Sequence, residues 1–289
     1  MHHRSNLSKT LDYVRSLKAG NHGIFFYRNP HEKHEVLFNF LKAGIEKEKG
    51  AIYVASQETS KQIRSHMEDF GLNVKALEKD GALRIVDYYD WYIIDGKVNA
   101  SHATESALRV FDEAAEIGLK GLCGCGEVAC FFEHKKEKEL VEYELTLGRK
   151  FDLPITGLCA YDVNHAKSLV EKLFFSLIKA HGVVVTSSFA RKIKFEKFFP
   201  IVMDEVLETV FGKIGKETIL RTLDKRHSPK PLKTAEDAGS FIDGLEEIIG
   251  SGAQVITKWA VREMYSRMGI TQRQTSVRKI ESKTEESLL

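Results

Sequence analysis

Two groups of residues in this chain have the types and spacing to do chemistry. The first gathers where successive apolar runs end: Tyr27, Arg28 and Asn29; Ser56 and Glu58; Asp87, Tyr88, Tyr89 and Trp91; Cys125, Gly126 and Glu127; Tyr161 and Asp162; Ser187 and Ser188. Rings, hydroxyls and a few carboxylates suit a small organic ligand held by stacking and a few polar contacts, better than a triphosphate. The plainer alternative is that strand ends always carry some polar residues. Glu127 and Asp162 invite an acid–base role, but nothing beside them drives their proton affinities apart and no nucleophile is paired with a base. The second group is His22, Cys159 and His181. Each histidine precedes a glycine and opens an apolar run, NHGIFF and AHGVVV, on the edge opposite the expected pocket. Imidazole and thiolate suit zinc or copper. The cysteines, however, form no CxxC pair, and the CGC of Cys123 and Cys125 puts both sulfurs on one strand face. Cysteine as a small buried hydrophobe is the simpler reading, so no metal is expected. His31 and His34 fall one residue short of HExxH and read as polar residues of a first helical turn.

Motifs that would decide an enzymatic class are missing. The turn after the first apolar run, YRNPHEKHE, has neither GxxxxGK[ST] nor GxGxxG. Without those glycines the backbone cannot wrap a phosphate, so ATP hydrolysis by the usual route is not expected. The G-x-S-x-G nucleophile elbow is absent as well. No cofactor is implied, and the chain reads as non-catalytic.

The elements that must position these residues alternate up to about residue 190. Strand-like runs are Gly23–Arg28, Gly50–Ser56, ALRIVDYYDWY, GLCGCGEVA, ITGLCAYD and GVVVTSS; helical patterns lie between them, from Pro30 to Glu48, up to Gly71, His102 to Ile117, EKELVEYELTLGRKF and SLVEKLFFSLIKA. Apolar strands joined by helices imply crossovers, hence a doubly wound, three-layer α/β sandwich with a mostly parallel sheet. From Phe199 only helical spacing remains, which predicts a small all-α domain. The expected division is a helical lead-in over 1–17, an α/β domain over 18–190, a helical module over 198–270 and a disordered tail over 271–289. Pro229 and Pro231 mark the longest connection; Thr234 and Ser251 are candidate helix caps and Gly250 a helix stop.

Bulk composition sets outer limits. The 289 residues are 43% hydrophobic and 29% charged, ordinary for a globular chain, and 43 Lys and Arg against 41 Asp and Glu give a net charge of +2. Such balance does not suggest a whole-protein polyanion binder. Apolar runs are too short to span a membrane, and the N-terminus lacks the apolar core of a signal peptide. A reducing cytoplasm is the expected compartment.

The run HGIFFYRNPHEKHEVLFNFLKAGIEKEKGAIYVAS resembles the opening of the MEDS domain, the methanogen/methylotroph sensory domain. GLCGCGEVACFF, LVEYE, LPITGLCAYD and KAHGVVV resemble the rest of it in order, over about residues 18–188. The resemblance implies a RecA/KaiC-like fold without a P-loop and a role in sensing simple hydrocarbon derivatives. It also implies a set of recurring positions: His22, Gly126 with Glu127, Tyr143 with Glu144, Cys159 with Tyr161 and Asp162, and His181. The arginine often found before Gly-Glu in the family is replaced here around Cys123 and Cys125. The helical C-terminus is similar to small modules appended to archaeal signalling proteins, as an output or protein-docking element.

The leading expectation is therefore a non-catalytic sensor that holds a small organic ligand through Tyr27, Arg28, Tyr89, Glu127, Tyr161 and Asp162 and signals through its C-terminal helices. Two alternatives stand beside it. Arg191, Lys192, Lys194 and Lys197, with Lys225, Arg226, His227, Lys230 and Lys233, form basic clusters that could neutralise nucleic-acid phosphates in a salt-dependent way. An ATPase relative with an atypical nucleotide site is the other.

Overall fold

The computed structural model describes residues 2–226 and 238–271. A helix, α1 (His2–Arg15), leads into β1 (His22–Tyr27), α2 (Pro30–Ile45), β2 (Gly50–Ala55), α3 (Ser60–Asp69), α4 (Val74–Lys79) and β3 (Leu83–Asp87). A small hairpin of β4 (Ile93–Ile94) and β5 (Lys97–Val98) precedes α5 (Ala100–Glu116), β6 (Leu122–Glu127), α6 (Ala129–Glu133), α7 (Glu137–Leu147) and β7 (Ile155–Asp162). Then come α8 (Val163–Ser168), α9 (Glu171–Ala180), β8 (Val183–Thr186) and β9 (Phe189–Lys192). Three helices close the described chain: α10 (Phe195–Arg226), α11 (Ala238–Ile249) and α12 (Gly252–Arg267).

The main sheet has the order β3-β2-β6-β7-β1-β8-β9. Every pairing in it is parallel except the last, where β9 folds back against β8. This is the doubly wound sandwich the alternation predicts, with a seventh, antiparallel edge strand over residues that the sequence shows only as the start of a basic cluster. Arg191 and Lys192 lie exposed on that edge strand.

Strand residues alternate between two cores, as a period of two requires. Phe25, Tyr53, Cys123, Cys125 and Leu158 face α1–α4; Ile24, Phe26, Val54, Cys159 and Tyr161 face the helices of the opposite layer. The second core runs without a break into the C-terminal helices: Phe175 of α9 packs edge-on against Phe199 of α10, with ring centroids 5.1 Å apart, and Phe174 lies 4.7 Å from Tyr265 of α12.

Local signals account for most helix ends. Asn29 caps α2, accepting from the Glu32 amide, with Pro30 in the first turn, and Thr59 with Gln62 forms a capping box on α3. Helix α10 is two helical segments that meet at Gly212 (φ 65°, ψ 173°), a backbone geometry that glycine adopts without strain. Gly250 ends α11 at φ 58°. Ser251 stands at the start of α12 but its side chain makes no capping hydrogen bond. Pro229, Pro231, Thr234, the basic residues His227, Lys230 and Lys233, and the expected tail from residue 272 lie outside the described residues. No helix among those described is long and apolar enough to cross a membrane.

Candidate functional site

Three regions gather the candidate side chains. At the carboxyl edge of the sheet, the first turn of α2 turns Lys33 inward. A P-loop lysine would stand near this point, after the first strand. Here the ammonium is fully buried, 2.7 Å from Glu127 and 2.6 Å from Glu58. Glu127, at the end of β6, also accepts from the Tyr53 hydroxyl (2.5 Å) and from the amides of Ser56 (3.0 Å) and Gln57 (2.6 Å). A buried carboxylate needs such partners, and Glu127 has a full set within the chain. Burial would raise the Glu58 carboxyl, but Lys33 and His34 hold it below its ordinary value.

The other strand-end residues are similarly engaged. The Tyr27 hydroxyl donates to Gln57 (3.2 Å) and Asp162 caps α8 through the Asn164 amide (2.7 Å). Arg28 donates to Ser187 (2.9 Å) and to the Gly269 carbonyl beyond α12 (2.9 Å). Tyr89 is exposed and donates to Asp87 (3.1 Å). His34 does not pair with His31; it meets Glu58 (2.7 Å), with His66 on the other carboxylate oxygen (3.1 Å).

A cavity of about 320 Å³ lies elsewhere, on the sheet face covered by α5, α7 and the loop before β7. Its floor is made by β6 and β7, where Gly124, Gly126 and Gly157 carry no side chains to fill it. Trp91, Tyr92 and Tyr143 line it with aromatic surface, and exposed Lys150 and Asp152 stand at its rim. Gly126 is required for this packing, because a Cβ there would meet the Tyr92 hydroxyl at 2.0 Å. Of the ligand-binding residues expected from the sequence, none lines this cavity; His22, Gly126, Tyr143 and Cys159 do.

Beneath the cavity His22, Glu144, Cys159 and His181 converge, all buried, with one ligating atom from each within 4.8 Å of the others. His22 Nε2 is 3.3 Å from both Glu144 Oε2 and Cys159 Sγ; His181 Nε2 is 3.4 Å and Cys159 Sγ 3.7 Å from the same carboxylate oxygen. The Tyr161 hydroxyl donates to Oε1 (2.5 Å). Strand order creates this cluster: β1 lies between β7 and β8, so His22 opening β1 meets Cys159 of β7 and His181 ahead of β8. Burial and the adjacent His22 ring lower the proton affinity of His181, while burial and Glu144 push the Cys159 thiol up. Burial would raise the Glu144 carboxyl too, but the imidazoles facing it, when protonated, hold it well below the usual carboxylate range.

Residues 21–173, more than half of the chain, match the family described as the MEthanogen/methylotroph, DcmR Sensory domain, MEDS. The chain belongs to the MEDS family. A KaiC-like protein from the hyperthermophilic archaeon Pyrococcus horikoshii is similar in structure at 17% identity, over 58% of this chain and 71% of its own, with a TM-score of 0.42. A second Pyrococcus horikoshii protein is similar at 9% identity, over 65% of this chain and 93% of its own, with a TM-score of 0.43. No curated protein matches.

Within the MEDS domain, the positions that the resemblance singled out divide by place. His22, Glu144 and Cys159 sit in one cluster with His181, which lies just past the matched segment, and Tyr161 braces it. Gly126 and Tyr143 belong to the cavity and Glu127 to the carboxyl edge. Sequence reasoning missed Lys33 and Tyr92. Helical spacing does put Lys33 on the buried stripe of α2, with Val36, Leu37, Phe40 and Leu41 at i+3, i+4, i+7 and i+8, but a lysine is rarely buried without a partner, and the sequence does not show that Glu127 and Glu58 stand beside it.

Proposed function

We propose that this MEDS domain is a sensor that takes a small, largely apolar organic molecule into the cavity over β6 and β7 and passes its occupancy to α10–α12. The cavity is the observation that carries this reading. Its roughly 320 Å³ is at the lower end of ligand sites, which favours a compact molecule, and aromatic walls with few polar groups favour an apolar one. A route outward exists in the packing. Tyr143 of α7 lines the cavity, α7 packs on α9, and α9 packs on α10, α11 and α12. The Tyr265 hydroxyl of α12 also donates to the Ala166 carbonyl of α8 (2.9 Å).

The test is thermal unfolding of the full chain with toluene and a homologous series of alkanols as probes. A ligand of the native state stabilises by mass action, about 2.7 kcal/mol at a hundredfold excess over Kd, so the melting temperature rises with probe concentration. Ala107→Phe fills the cavity from α5 and removes that rise. A rise that persists unchanged in a folded Ala107→Phe variant, or none with any probe, rejects the cavity as the ligand site.

A further inference from the structure

We propose that His22, Glu144, Cys159 and His181 form a tetrahedral binding site for a divalent transition-metal ion of borderline softness, with zinc as the leading candidate. The proposal goes beyond the cavity reading and stands whether or not the cavity takes a ligand.

Hydrogen placement is the first argument. His22 Nδ1 lies 2.6 Å from the Gly148 carbonyl and His181 Nδ1 lies 2.8 Å from the Leu177 carbonyl. A carbonyl oxygen only accepts, so each Nδ1 carries the hydrogen. In the neutral rings both Nε2 atoms are then bare lone pairs, and both point at Glu144 Oε2. His181 Nε2 is buried without a hydrogen-bond partner. The Cys159 thiol carries one hydrogen, within reach of His22 Nε2 at 3.3 Å or of Oε2 at 3.7 Å, and nothing positive stands between the His181 lone pair and the carboxylate oxygen. A proton on one Nε2 would pair that ring with Glu144 but leave the other lone pair facing the same oxygen, and protons on both would bury two cations in contact, since the rings lie tilted by 38° with centroids 4.3 Å apart. Metal-bound histidines show this same arrangement, with the distal N–H donated to a backbone carbonyl or carboxylate.

Distances are the second argument. Ligands at about 2.0–2.1 Å (N, O) and about 2.3 Å (S) from a tetrahedral zinc lie about 3.3–3.6 Å from one another. Four of the six separations here are 3.3, 3.3, 3.4 and 3.7 Å, and all six lie within 4.8 Å. Tyr161 occupies the other carboxylate oxygen and leaves Oε2 free to ligate.

Charge is the third. A divalent ion with one carboxylate, one thiolate and two neutral imidazoles has no net charge, which is what a fully buried site requires. Binding forms the metal–sulfur bond as the Cys159 proton leaves to the buffer; no electron is transferred. The His34, Glu58 and His66 group is a weaker candidate, because Lys33 already neutralises Glu58 and no sulfur is present.

The experiment uses the full-length protein, stripped with a chelator under reducing conditions and titrated with Co²⁺, then with Zn²⁺ in competition. The expected result is one Co²⁺ per chain, with visible d–d absorption of tetrahedral intensity and a near-ultraviolet thiolate-to-cobalt charge-transfer band, both erased by Zn²⁺. Cys159→Ser removes the charge-transfer band, and Cys125→Ser, on the opposite face of the sheet, keeps it. His181→Ala weakens binding by more than the roughly 10–100-fold that loss of an outer-shell partner costs. Should these variants fail to fold, X-ray absorption of the zinc-loaded wild type decides: one sulfur and three nitrogen or oxygen neighbours support the site. Absence of a thiolate band in the wild type, its persistence in Cys159→Ser, or a sulfur-free zinc shell overturns it. These outcomes are separate from the toluene and alkanol titration, which reports on the cavity alone.

Discussion

Replacing Lys33 by Met tests how the carboxyl edge of the sheet is held. The substitution keeps most of the side chain's bulk, so the packing loss is small and the change is chiefly electrostatic. It leaves Glu127 fully buried with three hydrogen-bond donors but no counter-charge, and takes from Glu58 its closest cation at 2.6 Å. Removing one partner of a buried ion pair costs about 3–5 kcal/mol. Three donors remain on Glu127, which places the expected loss near the lower end, about 3 kcal/mol, a large part of the roughly 5–15 kcal/mol that holds a domain folded. With a urea m-value of about 3 kcal/mol/M, the upper end of the small-protein range, the unfolding midpoint falls by roughly 1 M. Far-ultraviolet circular dichroism in a urea series measures it. Lys33→Met with Glu127→Gln removes both charges of the pair. It recovers part of the loss, a coupling within the roughly 0.5–3 kcal/mol range of contacting residues. A midpoint for Lys33→Met within about 0.3 M of wild type, or strictly additive single and double variants, would refute the reasoning that this pair is buried and mutually dependent.

Two other changes probe the frame of the site. Asp87 accepts from the Ser60 amide and hydroxyl, both at 2.7 Å, and from Tyr89; burial would raise its carboxyl, but these bonds hold it below the ordinary value. A depressed native pKa stabilises the fold above the unfolded value of about 3.9, and that contribution disappears as pH falls through the lower native value. Asp87→Asn should therefore flatten the acid limb of the stability–pH curve, read by urea midpoints from pH 7 downward; an unchanged slope would count against it. Tyr265→Phe removes the hydrogen bond from α12 to the Ala166 carbonyl and should cost about 1 kcal/mol, with faster amide exchange in α11 and α12 by mass spectrometry. Exchange confined to wild-type rates would show that the bond does not tie the helical part to the sheet layer.

Local pattern in the chain decides most of the elements and which way their side chains point. Alternating apolar runs and helical spacing are local properties, so the parallel sandwich, the C-terminal helices and the shared face of Cys123 and Cys125 could all be read from period and composition. The antiparallel β9 is not legible there, because four residues, two of them basic, are too short a run to show a period of two. Which strands become neighbours is different, because it is decided by crossovers that span dozens of residues and leave no mark on the local pattern. Period two says that Cys159 and Tyr161 share a face, but not that β7 lies beside β1, nor that β8 lies on its other side. Only that order gathers His22, Cys159 and His181, the first and last of them 159 residues apart (181 − 22), around the Glu144 carboxylate. Lys33 repeats the lesson at the other edge: its spacing puts it on the apolar stripe of α2, its charge argues against burial there, and only the arrival of β6 with Glu127 makes that burial favourable. The cavity too belongs to tertiary structure, since it is the space that three glycines leave when α5 and α7 close over two strands that the sequence does not show to be adjacent.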